Sequence, residues 1–218
     1  AVYWMLLAGV AMAAYYLLYI VSYGLKKGVT RGPALAGAAL LLLFVSFIMT
    51  NIMSLMLRPD AWTAYFANPG GTILNTGDPT FFPRWLHFVT ASLAVGGLFI
   101  ALSNAGAAAR HEAAAKAKVR LGLSWFTRAT MVQIALGIWF LLALPTDVML
   151  LFMGRGGLHT AVFLAGLAAM AAALFYGLRG RPYPAALATV ATVALMAGMR
   201  DLVRAAYLAP SFHPEKLP

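Results

Sequence analysis

Apolar residues in this chain do not alternate with polar ones. They run in long blocks whose ends are marked by charge or proline. The first block extends from Val2 to Leu25 and stops at GLKKGVTRG; the second, from Pro33 to Leu57, stops at Arg58-Pro59. Four more follow: Arg84 to Ala109, Leu121 to Leu144 before Pro145, Leu158 to Leu178, and Tyr183 to Val203. A helix needs about 20 apolar residues to cross a hydrocarbon core of roughly 30 Å, and each block reaches that length. Backbone groups in lipid must be hydrogen-bonded within their own segment, so the blocks predict six transmembrane helices. The predicted fold class is all-α: a polytopic membrane helical bundle forming a single domain over 1-218. A loop at 58-83 and a short tail at 205-218 lie outside the spans.

Composition agrees with the pattern: 62% of residues are hydrophobic, 10% are charged, and the mean hydropathy is +0.82. The first block has neither the basic leader nor the cleavage site of a signal peptide and is too long for one, so it reads as a span. Orientation follows from where lysine and arginine fall. The odd-numbered loops hold nine of them, Lys26, Lys27, Arg31, Arg110, Lys116, Lys118, Arg120, Arg179 and Arg181. The other side holds six, Arg58, Arg84, Arg155, Arg200, Arg204 and Lys216. This predicts a bacterial inner membrane protein with both termini, the 58-83 loop and the connection from Thr146 to Gly157 in the periplasm. The net charge of +10 is thereby explained as helix-end charge, and no nucleic-acid partner is expected.

The chain has no cysteine, which removes covalent c-type haem, iron–sulfur clusters and thiolate zinc from its own chemistry. A redox cofactor would need histidine or methionine. Of the four histidines, His111 lies in the charged connection RHEAAAKAKVR and reads as solvated, and His213 lies in the tail SFHPEKLP. His87 and His159 differ, because each falls within about one turn of the start of a helix entering from the periplasmic side. Similar depth on two helices is one way to hold haem b, with one imidazole per face. Thr90, Ala91 and Ala94 beyond His87 are small enough to admit a flat ring, and Val162, Phe163 and Gly166 follow His159. Arg84 and Arg155 stand about one turn before the two histidines, suited to haem propionates or to snorkelling at the interface. Gly96, Gly97, Gly106, Gly166 and Gly177 would let helices or a cofactor approach closely.

The stretch RWLHFVTASLAVGGLFIAL, Arg84 to Leu102, resembles the helix of the quinol-oxidising large subunit of cytochrome bd-type oxidases whose early histidine ligates a low-spin haem b. SLMLRP, from Ser54 to Pro59, is similar to that family's Asn-x-Trp-Met-Gln-x-Pro segment, keeping Met56 and Pro59 without the tryptophan. WFTRATMVQIALG, from Trp125 to Gly137, looks like a later family helix. The resemblance implies His87 as one axial ligand and offers Met131 as the second; depth along the helix favours His159 instead. The first helix has no histidine or acid, no Asp or Glu lies inside any predicted span, and only TDVMLLFMGRGG joins the fourth and fifth spans. The family's oxygen chemistry and long quinol loop are therefore not expected.

The resemblance implies a haem b electron-transfer subunit of a quinol/quinone oxidoreductase complex that does not reduce oxygen. Its expected partners are the membrane quinone pool, other membrane subunits, and a periplasmic c-type cytochrome or iron–sulfur subunit. The 58-83 loop, with Trp62, Tyr65, Phe66, Phe81 and Phe82, is too apolar for a solvated tether and is expected to pack. At the outer end of the last span, Asp201 can pair with Arg200 or Arg204. The other reading is a cofactor-free membrane anchor or assembly subunit in which the histidines only pack helices. No internal repeat or broken-helix pair suggests a transporter.

Overall fold

The computed structural model describes residues 2–210, so the tail with His213 lies outside the described residues. In chain order the elements are α1 (Val2–Lys26), α2 (Gly32–Leu55), the short α3 (Pro59–Trp62) and α4 (Ala64–Ala67), and α5 (Phe81–Ala109). They continue with α6 (Ala113–Ala143), the short α7 (Thr146–Leu150), a π turn (Leu151–Arg155), α8 (Gly157–Leu178) and α9 (Pro182–Leu208). There is no strand among the described residues. Among the described residues six helices, α1, α2, α5, α6, α8 and α9, are long and apolar enough to cross a membrane. The protein is an all-α, multi-pass membrane protein.

The helix ends follow local chemistry. Proline opens α3 and α9 and takes the second position of α2, where its missing N–H costs nothing. Pro145 stops α6 by forcing Leu144 into extended backbone at ψ 151°. Gly180, at φ +71°, ends α8 in the left-handed conformation that glycine adopts freely. α6 starts eight residues before the predicted Leu121, because AAAKAKVR consists of strong helix formers and continues the helix beyond its apolar span. His111 is part of the turn between α5 and α6. It takes a left-handed φ of 67°, with its N–H donating to the Ala108 carbonyl and its ring within 3.1 Å of Lys116 Nζ.

The chain divides into two compact units between Trp85 and Leu86. In the first unit α1 lies along α2, and its less exposed positions recur every third or fourth residue from Tyr3 to Gly24, a single packing stripe. The 58-83 loop does pack in its second half, where Asn75, Asp78, Thr80 and Phe81 are buried, while Trp62 and Phe66 in the first half stay exposed.

In the second unit, α5 and α6 touch backbone to backbone. A Cβ placed on Gly97 would stand 2.6 Å from Gly122 O, and one on Gly122 would stand 2.5 Å from Gly97 O. α8 meets α6 where Gly177 faces Phe126 and Thr127, and it packs along α9 where Gly166 receives Met199. Two apolar cores result. One surrounds Phe126 with Ala94, Leu98, Ala101, Leu123 and Ala173; the other joins Leu144, Val148, Phe152 and Val203 at the α7 end.

Candidate functional site

The start of α5 is fixed by a polar cluster in the first unit. Asn75 N–H donates to Asn51 Oδ1 at 2.8 Å, and Asn75 Nδ2 donates to Ser54 Oγ at 3.1 Å and to Asp78 Oδ2 at 3.4 Å. Asp78 Oδ1 accepts from the Thr80 N–H at 2.8 Å and from its hydroxyl at 2.7 Å, just before the first turn of α5. All five residues are buried. Irregular backbone next to a membrane helix is tolerated only when its polar groups are satisfied inside the protein, and this cluster does so. The sequence reading missed it. Its signal was Asn75-Thr-Gly-Asp-Pro-Thr80, turn and N-cap residues directly ahead of an apolar helix.

The consequence is that α5 begins well below the end of α2. The Phe81 and Trp85 rings stand edge-on to Phe47 at 5.0 and 5.5 Å, and Trp85 Nε1 donates to Ser46 Oγ at 2.9 Å. Ser46 is nine residues before Leu55, where α2 ends, so at 1.5 Å per residue Trp85 lies about 13 Å inside that end.

Within the second unit, α6 serves as a ruler for the histidines. Gln133 Nε2 donates to the His87 carbonyl at 3.4 Å, so His87 is level with Gln133. His159 lies eighteen residues before Gly177, which faces Phe126 and Thr127. The same count along antiparallel α6 brings it to Leu144, the core residue grouped with Phe152. Gln133 and Leu144 are eleven residues apart, about 16 Å along the helix. Measured along α6, the two histidines therefore stand at different levels, His87 at Gln133 and His159 near Leu144 at the start of α8. The reason is the register of the two helices on α6, set for α5 where Gly97 meets Gly122 and for α8 where Gly177 meets Phe126 and Thr127.

The other candidates are spread in the same way. His159 stands edge-on to Phe152 at 5.3 Å, and its Nδ1 lies against Gly156. Arg155, on the π turn, faces Asp147 at 3.9 Å and is well exposed. Arg84 Nη2 reaches Thr80 Oγ1 at 3.5 Å. Met131 is two residues from Gln133, about 200° around the helix, and so it faces away from α5; it is 47% exposed. The α8 residue level with His87 is Met170, seven residues before Gly177, and it is half-buried. Sequence reading also passed over Arg128, which lies within α6 on an exposed position.

These positions test the fit of a haem. His87 could ligate a haem, because its Nδ1 is buried and has no hydrogen-bond partner among the described residues, and Thr90 and Ala91 beside it are only half-buried. The pair His87 and His159 does not fit, since about 16 Å of helix separates their levels. Met131 does not fit either, because it points to the other side of α6. Ala94 is already packed against the Phe126 core. Comparison with protein-family models, with curated proteins and with solved structures finds no match to the chain.

Proposed function

We propose that this chain is a haem b-binding electron-transfer subunit of a quinol/quinone oxidoreductase complex in a bacterial inner membrane. In this reading it works between the quinone pool and a periplasmic c-type cytochrome or iron–sulfur subunit. The observation that carries the proposal is the buried Nδ1 of His87 in α5, which has no hydrogen-bond partner among the described residues, since an imidazole in that state normally has a ligand or a hydrogen bond. Bound haem would supply one-electron redox chemistry. The chain's own part is to present His87, with Met170 of α8 at the same level, and to surround the site with apolar helix. His159 has no ligand role in this reading and serves as a packing residue on Phe152.

The test is the absorption and near-infrared magnetic circular dichroism of the purified protein, with a pyridine haemochrome assay for stoichiometry. We expect one low-spin haem b with histidine–methionine character, lost or turned high-spin in His87→Ala and Met170→Leu and unchanged in His159→Ala and Met131→Leu. A colourless protein would leave the second reading, a cofactor-free anchor subunit, which the separation of the two histidines favours.

A further inference from the structure

α1 has a second stripe of residues that its packing on α2 does not use. Opposite the face packed on α2, Met5, Met12, Tyr16, Tyr19 and Tyr23 follow one another at intervals of seven, four, three and four, with Tyr15 beside them. That spacing is the knob pattern of a helix seam. The tyrosines are wide open: Tyr15 is 65% exposed, Tyr16 60% and Tyr19 64%.

Their depth makes this exposure costly. Tyr15 lies thirteen residues from Val2 and eleven from Lys26, about 20 and 16 Å from the two helix ends, farther than its side chain extends. Helical side chains lean toward the N-terminus, so Tyr19 also points into the span rather than toward Lys26. Tyr23 is different; its ring lies 4.5 Å from Lys27 Nζ at the helix end. Among the described residues no hydrogen bond reaches the hydroxyl of Tyr15, Tyr16 or Tyr19, and the contact of note is the edge-on pair Tyr15–Tyr16 at 6.0 Å. Hydroxyls in hydrocarbon need partners.

We propose that this face binds a second copy of the chain, α1 against α1, as a parallel two-fold pair. Every copy enters the membrane in one orientation, so a two-fold axis along the membrane normal sets each tyrosine opposite its own counterpart at equal depth. A phenol both donates and accepts, so the surface is complementary to itself without any other group. No charged side chain precedes Lys26 in α1 to oppose the approach, and Met5 and Met12 can adapt their shape to each other.

The chain has no cysteine, so single cysteines can be introduced into the full protein and oxidised in native membranes. Met12→Cys and Tyr19→Cys should cross-link to disulfide dimers, whereas Leu6→Cys and Leu18→Cys, exposed but off the stripe, should not. A Tyr15/Tyr16/Tyr19→Phe variant keeps the shape of the face and should self-associate more weakly on dilution in detergent, by about threefold for each hydroxyl lost. Four outcomes would each overturn the proposal: no dimer at positions 12 and 19, equal cross-linking at all four sites, an adduct with a different polypeptide, or a phenylalanine variant that associates like the parent. None of these depends on haem being present.

Discussion

Replacing Gly97 with alanine tests the helix contact on which the second unit is built. A Cβ there would stand 2.6 Å from Gly122 O, 2.8 Å from Phe126 N and 2.9 Å from Trp125 Cβ. Two of these neighbours are backbone and cannot rotate away, so α5 and α6 must separate by roughly 0.8 Å to regain ordinary contact. A gap of that size forfeits about a quarter to a half of the dispersion energy between flanking pairs, here Ala94, Leu98 and Ala101 against Leu123, Phe126 and Ala129. Overpacking of this kind costs about 3 kcal/mol at the upper end of its range, and the better helix propensity of alanine returns about 1 kcal/mol. The net loss is about 2 kcal/mol, or roughly 4–8 °C in melting temperature for a protein of this size. Gly96→Ala is the matched control: nothing lies within 4 Å of its Cβ position, so only the propensity gain applies. Thermal unfolding in detergent, followed by tryptophan fluorescence, should lower the midpoint for Gly97→Ala and leave it unchanged or raised for Gly96→Ala. Equal shifts for the two variants would refute the backbone contact.

Other consequences are equally direct. Asp78→Ala leaves the Thr80 N–H and hydroxyl without their buried acceptor, which should cost about 1–3 kcal/mol and open the 68–80 segment to limited proteolysis. The Arg58 guanidinium hydrogen-bonds Asp60 at 2.8 Å and holds its carboxyl below the ordinary value of 3.8. The small stabilisation from this exposed pair is therefore present above that value and lost as pH falls through the depressed one. Arg58→Gln should raise the pKa of Asp60 toward its ordinary value, as read from its carboxyl carbon shift. A topology reporter inserted between α5 and α6 should read as cytoplasmic, following the basic residues Arg110, Lys116, Lys118 and Arg120; periplasmic activity there would reverse the orientation.

Much of the architecture was legible in the chain before any coordinate. The six spans and the all-α class follow from runs of about 20 apolar residues, because lipid leaves the backbone no other way to bond. Pro59 and Pro145 marked helix boundaries for the same local reason that prolines break helices anywhere. Length and hydropathy act within one segment, so the segment alone carries the information.

What the linear pattern could not supply is which residues stand at the same level. Counting from helix starts put His87 and His159 together, but their levels along α6 are set by where α5 and α8 touch it, at Gly97 and Gly177. The hydrogen bonds from Asn75 to Asn51 and Ser54 draw the loop inward and begin α5 beside Phe47. The glycines show the same limit: Gly97, Gly166 and Gly177 receive neighbours, while Gly96 and Gly106 face open space, a difference no composition reveals. Local chemistry thus decided that these segments are membrane helices. Contacts between residues far apart in sequence decided their register, because the vertical position of one helix against another is fixed only where side chains and backbones interlock.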